Sequence, residues 1–380
     1  MLKNNRAAMT YIPYGFLAVA LIVVPILYSL QLVKIETINL WGRFAAYAIV
    51  ALGIDLVWGY TGILSLCQAM FFSFGAYAMG LYIALHGRLV GDGIPECLNF
   101  VSSDVGGFQM PWFWKPFKYF PFAVMLGMAL PGMIAAVFGF FAFRSRVRGV
   151  YFSIITQATT LAFFMLFCLN SIRMGGTNGL SSLTLVDNLS LTEHSVQLWL
   201  YIISFAVLGA VFFLCSFLVK SRLGRILVAI RDNESRLRFS GYKTTSFKVF
   251  VFALAAMLAG LGGMLFVSQE HSITPDKMGV ELSIMMVVWV AFGGRGTLTG
   301  AIFGALAVNF MYNQLTSSLP KSWPFVQGAL FIGVVLFFPE GLIGLWRKLT
   351  ADGDTHFKAR PSLPPIAGSE EEAGIEQVKA

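Results

Sequence analysis

Ten apolar runs, parted and flanked by polar stretches that gather nearly all of the charge, constrain this chain more than any other feature. They fall at Tyr11–Val33, Leu40–Trp58, Gly59–Leu85, Pro121–Phe143, Gly149–Leu169, Leu198–Val219, Val249–Val267, Val280–Phe292, Ala301–Leu315 and Phe325–Leu345. A helix needs roughly 20 apolar residues to cross a bilayer core, where the backbone must satisfy its own hydrogen bonds. Only 12% of the 380 residues are charged and 57% are hydrophobic, whereas a soluble domain carries about 25% charged residues. A chain so poor in charge cannot cover its own surface in water. The expected fold class is all-α: a polytopic helical membrane protein with about 8–10 transmembrane helices. The lower count applies if the short run Val280–Phe292 is a re-entrant helix.

The basic clusters fix an orientation. With the N-terminus placed inside, Arg144–Arg148, Lys220–Lys248, Arg295 and Arg347–Lys348 all follow an even number of crossings. Basic residues favour the cytoplasmic side, so both termini are expected in the cytoplasm. The chain then divides into a cytoplasmic arm over 1–10, a transmembrane domain over 11–347 with a cytoplasmic loop at 220–248, and a tail over 348–380. The tail is low in hydrophobicity and is expected to be disordered. No small-x-small site follows the first run, so it reads as a retained anchor.

Composition excludes several classes. The net charge of +8 sits in loops beside apolar runs, which argues for membrane lipid and not nucleic acid. Cys67, Cys97, Cys168 and Cys215 are scattered, as are His86, His194, His271 and His356. Neither set has metal-ligand spacing, so no metal is expected, and no catalytic set stands out. The aromatic segment Pro111–Phe120 in the loop His86–Tyr119 suits a membrane–water boundary; substrate entry is the alternative.

Two places are broken alike. Gly59-Tyr-Thr-Gly62-Ile-Leu-Ser65-Leu-Cys-Gln68 and Gly293-Gly-Arg-Gly296-Thr-Leu-Thr299-Gly300 each combine paired glycines, hydroxyls and a following apolar run. Such interruptions in two halves of a chain point to an internal repeat with a central site, or to two loops that need glycine turns. Polar side chains at membrane depth are Asp55, Ser65, Gln68, Ser73, Thr156, Gln157, Thr159, Thr160, Asn309 and Asn313. They either bond helix to helix or line a path. Ser65, Gln68, Ser73, Thr156, Gln157 and Asn309 are the candidates for the path. Asp55 is the one awkward acid, with Arg144, Arg146 or Arg148 as its expected partner. Ala256, Ala259, Gly260 and Gly263 have the small-xxx-small spacing that lets helix backbones approach closely.

The most charged stretch is Lys220–Lys248, with eight basic residues against two acids and a local charge of +6. Gly224–Ser240 can form a helix with Ile226, Leu227 and Ile230 on one apolar face and Arg231–Glu234 as a polar knob. Gly241 is a plausible stop. It reads as an orientation-setting loop, a helix that docks on a cytoplasmic partner, or a lipid-binding segment.

The run Leu223–Phe266 resembles the permease subunits of ABC importers in the branched-chain amino acid family. The matching residues are Gly224, Arg225, Ala229, Ile230, Arg231, Asp232, Asn233, Glu234, Gly241, Lys248, Ala259, Gly260, Leu261 and Gly263. GYTGILSLCQAMFFSFGAYA and GGRGTLTGAIFGA are similar to two further motifs of that family, with Cys67 where a glycine is usual and Ala301 where many members have proline. Arg144–Phe164, Met174–Leu180 and PWFWKPF look like its urea-transporter branch. The resemblance implies a urea permease, with branched-chain amino acids as the alternative, and a stand-alone urea channel or secondary transporter as a third reading. It implies a homologous second permease in a heterodimer, two cytoplasmic ATPases and a periplasmic substrate-binding protein, in a bacterial inner membrane. Gly224, Arg225, Ala229, Ile230, Arg231, Asp232, Asn233 and Glu234 would form the coupling helix that meets the ATPase. No G-x-x-x-x-G-K-[ST] motif occurs, so ATP would be used by the partner subunits and no cofactor is expected on this chain.

Overall fold

The computed structural model describes residues 34–87, 111–145, 149–187 and 189–318, with short stretches at 15, 19–21, 23–28, 89–90, 94–95, 147, 325, 328–329, 333 and 341. The N-terminal arm, most of the first and tenth apolar runs, Cys97, His356 and the C-terminal tail lie outside the described residues.

The described chain is a helical bundle. Its helices are α1 (Ile35–Ile54), α2 (Gln68–His86), α3 (Phe120–Arg144), α4 (Val150–Cys168), α5 (His194–Lys220), α6 (Arg222–Phe239), α7 (Thr244–Glu270), α8 (Val280–Gly293) and α9 (Leu298–Ser318). A π-helical turn, Asp55–Tyr60, extends α1. Among the described residues six helices are long and apolar enough to cross a membrane: α1 with its π turn, α2, α3, α4, α5 and α7. The expected short run is α8, with 14 residues. Apolar side chains exposed along α3, α4 and α5, such as Met133, Val137, Tyr151, Ile154, Phe213 and Phe217, are where hydrocarbon would lie.

α7 is the hub, with α1, α2 and α3 packed around it. Lipid tails are as apolar as leucine, so helices in a membrane associate through close packing and not through water exclusion. The small residues of α7 permit that approach on three sides. A β-carbon on Gly262 would crowd the Ala46 carbonyl of α1, one on Gly263 would overlap the Phe72 carbonyl of α2, and one on Gly260 would overlap the Gly127 carbonyl of α3. Ala256 and Ala259 are fully buried on the same helix. Around these contacts aromatic rings fill the core. Tyr47 lies 4.9 Å from Trp289, 5.1 Å from Phe266 and 5.7 Å from Phe72, centroid to centroid.

The connections sort to two ends. At one end, Leu180 and Ile273 exchange two backbone hydrogen bonds of 2.8 Å, and the Asp187 N–H donates to the His86 carbonyl at 2.8 Å. A short antiparallel hairpin pairs Leu185 with Ser190 and Val186 with Leu189. The aromatic segment forms a 3₁₀ helix over Trp112–Lys118 that buries Trp114 and Phe117 and exposes Trp112. At the other end lie the 61–67 segment, α6 and the turn at 294–297.

Candidate functional site

The two glycine breaks meet. The π turn Asp55–Tyr60 ends at Thr61, where the Trp58 carbonyl still accepts from the Thr61 and Gly62 N–H groups, and side chains from elsewhere in the chain reach the last carbonyls of the turn. Arg295 donates from Nε to the Trp58 carbonyl at 3.2 Å, and its guanidinium lies 5.0 Å from the Trp58 ring centre. Arg231 of α6 donates from Nη1 to the Gly59 carbonyl at 2.9 Å. Cations at a helix C-terminus are favoured by its partial negative charge. Asp55 is fully buried and accepts from the Gly296 N–H at 2.7 Å. Gly59 touches the same turn so closely that a β-carbon there would sit 2.6 Å from the Gly296 nitrogen. Gly296 itself has φ +76°, a conformation natural to glycine.

Asp55 therefore has a partner other than the arginines expected from the sequence. Arg144 instead lies 5.5 Å over the Phe140 ring, and Arg146 and Arg148 lie outside the described residues. The reason is the fold: the Asp55 end of α1 packs on the α8–α9 turn, which offers a free backbone N–H.

The irregular segment 61–67 is held by hydroxyls of α4. Ser153 donates to the Leu64 carbonyl at 2.8 Å, Thr156 accepts from the Leu66 N–H at 3.1 Å, and Thr160 donates to the Leu66 carbonyl at 3.2 Å. These three stand at i, i+3 and i+7, one face of a helix. They supply what irregular backbone at membrane depth requires. Ser65 bonds locally to Cys67 at 3.1 Å. Of the other path candidates, Gln68 and Ser73 are buried and Gln157 is half-buried, and their side-chain polar atoms lack a hydrogen-bond partner. Asn309 is elsewhere, on α9, where its amide donates to the Ala305 carbonyl at 2.7 Å. The structure does not gather the six into one site.

α6 differs from the single helix expected over Gly224–Ser240. It starts at Ser221, whose hydroxyl accepts from the Leu223 N–H at 3.1 Å, as an N-cap should. Gly224 lies where a β-carbon would overlap the Val219 carbonyl. At Asn233 the backbone leaves the helix (φ −158°, ψ 89°), and the Asn233 side chain accepts from the Arg236 N–H at 3.0 Å. Asn233 thus caps a second helical segment. Leu227 and Ile230 are buried and Ile226 is half-buried, so the apolar face turns to the bundle and not to solvent. Arg222, Arg225, Asp232, Ser235, Arg236 and Phe239 are exposed.

The polar knob also comes apart. Arg231 reaches back to Gly59 and pairs with Asp232 at 3.1 Å. Glu234 points inward to Lys248 at 2.7 Å and Arg238 at 2.6 Å, and accepts from the Thr244 hydroxyl at 3.1 Å. Burial alone would raise its pKa, but the hydrogen bond and charge of Lys248, with Thr244 and Arg238, outweigh it and hold the carboxyl below its usual range. Glu234 therefore ties α6 to the start of α7.

At the opposite end, α1, α7, α8 and α9 border a cavity of about 400 Å³. Phe44, Phe266, Leu282 and Met285 line it with apolar surface, and Tyr47, Trp289, Asn309, Tyr312 and Asn313 add polar edges. Charges of both signs also line it: Arg43 and Lys277 against Glu270, Asp276 and Glu281. Arg43 is ion-paired with Glu270, and Lys277 lies 5.5 Å over the Phe266 ring. Arg43 Nε and Trp289 Nε1 are buried without an acceptor. Sequence reasoning passed over Arg43 and Glu270, although an ion in or beside a spanning run is a sign of function. Among the described residues no three His, Cys, Asp or Glu side chains converge as a metal would need.

Residues 37–335 match the family described as "Branched-chain amino acid transport system / permease component". The high-affinity branched-chain amino acid transport system permease protein LivM of Escherichia coli (strain K12) is 24% identical over 347 residues, covering 85% of this chain and 72% of LivM. LivM of Salmonella typhimurium is 23% identical over 325 residues, covering 79% of this chain and 68% of its own length. The ribose import permease protein RbsC of Escherichia coli (strain K12) is 28% identical over 214 residues, covering 51% of this chain and 60% of RbsC. No solved structure gives a significant match. These relatives are permeases of transport or import systems and not enzymes. The match covers most of the chain, which belongs to the branched-chain amino acid transport system permease family.

Proposed function

We propose that this chain is the membrane-spanning permease of an ATP-driven importer in a bacterial inner membrane, and that its cargo is a branched-chain amino acid. The observation that carries the coupling is the bond from Arg231 to the Gly59 carbonyl. It links a surface helix to the broken end of a spanning helix, and through Asp55 and Gly296 to the α8–α9 turn. A cytoplasmic ATPase that shifts α6 would thereby shift both breaks together. Gly224, Arg225, Ala229, Ile230, Arg231, Asp232, Asn233 and Glu234 are assigned to that coupling element, with separate tasks. Leu227 and Ile230 seat it, Asn233 and Glu234 shape it, and exposed Arg225 and Asp232 face the ATPase. The full assembly holds a second, homologous permease, two ATPases and a periplasmic binding protein.

The mixed charge of the cavity supports an amino acid cargo. A zwitterion with an apolar side chain needs a cation, an anion and an apolar wall; Arg43, Glu270 and the Phe266–Met285 surface supply them. Urea is neutral and needs only hydrogen bonds. The LivM relatives favour the same reading over the urea expectation. Urea stays as the second reading because Arg144–Phe164 and Met174–Leu180 resemble the urea branch. Uptake by the reconstituted assembly decides: ATP-dependent entry of labelled leucine that excess urea leaves unchanged supports the amino acid reading. Entry of urea without leucine overturns it, and ATP-independent urea flux through this chain alone would mark a channel.

A further inference from the structure

We propose that a second cavity, at the α6 end of the bundle, holds the phosphate headgroup of an anionic phospholipid. The cavity has a volume of about 700 Å³ and lies between α3 and the first turns of α7. Its lining changes character along its length. Ala136, Phe140, Val249, Phe250 and Ala253 form an apolar part, and Phe140 and Phe250 are exposed on the outer surface of their helices. Arg144, Arg238 and Lys243 form the other part, together with Thr244, Thr245 and Ser246. Among the described residues no acid lines the cavity, and Glu234 pairs with Arg238 from outside the lining.

The cationic part fits an anion for two independent reasons. Three basic side chains converge there, and the start of the 27-residue helix α7 adds its partial positive charge with no side-chain cap to neutralise it. Thr245 and Ser246 add hydroxyl residues to the same part of the lining. Arg238 is held in position by Glu234 at 2.6 Å and by the Thr244 hydroxyl at 3.0 Å, and Arg144 is braced over Phe140. The apolar part argues for a lipid over free phosphate, because it gives an acyl chain a groove leading away from the charges. Basic pockets between helices on the cytoplasmic side are suited to anionic headgroups. This occupant would also sit beside the Glu234–Lys248 tie, so the headgroup would stiffen the junction of α6 and α7.

Native mass spectrometry of the purified chain, supplied in turn with phosphatidylglycerol, phosphatidylcholine and inorganic phosphate, tests the site. Retention of phosphatidylglycerol, absent for phosphatidylcholine, is expected to fall about tenfold or more in Arg144→Gln/Lys243→Gln. The control Arg222→Gln/Arg225→Gln removes the same charge from exposed positions outside the cavity and should retain the lipid. Equal retention in the first variant and the wild type, or equal retention of phosphatidylcholine, overturns the proposal. Displacement of the lipid by inorganic phosphate would make free phosphate the ligand and also overturns it. Thermal melting confirms that both variants are folded.

Discussion

Arg231 and Gly59, separated by 172 residues in sequence, are joined by a 2.9 Å hydrogen bond between a guanidinium Nη1 and a main-chain carbonyl. A carbonyl cannot be removed by mutation, so the acceptor side of this contact is tested from its neighbours. Gly59→Ala places a methyl group against the Gly296 backbone, which cannot move aside as a side chain could. The variant should lose about 1–3 kcal/mol of stability, the usual cost of overpacking. Gly241→Ala has open space around it and should cost less, limited to its left-handed backbone. Thermal melts in one detergent compare them.

The hydroxyl strap predicts a difference between neighbouring threonines. Thr156→Val removes the acceptor for the Leu66 N–H and should cost about 1–3 kcal/mol, the penalty of a buried unsatisfied group. Thr159 is half-buried and its hydroxyl bonds to the Ile155 carbonyl of its own helix, so Thr159→Val orphans no partner elsewhere and should be close to neutral. Equal destabilisation by the two would remove the strap.

Glu234 predicts a pH dependence. Its folded pKa lies below the ordinary 4.5, so the unfolded chain binds its proton more readily. Its contribution is present at pH above 4.5 and is lost as the pH falls through the lower folded value. Glu234→Gln should be less stable than the wild type at neutral pH, and the gap should close in acid. A gap that is constant with pH would contradict the Lys248 pairing.

Much of this was legible in the sequence because it depends on one-dimensional pattern. The apolar runs gave α1–α5 and α7, and the charge run gave α6. The two glycine breaks were visible too, but their meeting was not, since nothing local to Gly59 or Gly296 encodes a contact 237 residues away. The same limit hid the bond from the Gly296 N–H to Asp55. In α6 a local signal was present: Asn233 is a preferred N-cap residue in the middle of a helical pattern, and it marks the kink. The inward turn of Leu227 and Ile230 was not legible, because an apolar helix face seats as readily on a partner as on the chain's own bundle, and only the fold shows which. Arg43 and Glu270 were overlooked because each is a lone charge at a run's edge, and only the α1–α7 packing makes them a pair.

The cavity predicts a binding effect. Glu270→Gln leaves Arg43 without its anion and removes the group assigned to the substrate ammonium. KM for leucine should rise about tenfold or more, the worth of a charged hydrogen bond, with kcat little changed. An unchanged KM would place the substrate elsewhere.

The most direct test of the account is ATP-driven leucine uptake by the full assembly carrying Arg231→Ala, with Arg236→Ala as the exposed control. The assembly should form and hydrolyse ATP, while uptake per ATP falls about tenfold or more in Arg231→Ala and holds in Arg236→Ala. Wild-type uptake per ATP in Arg231→Ala would show that motion of α6 does not pass through the Gly59 carbonyl, and would contradict the account.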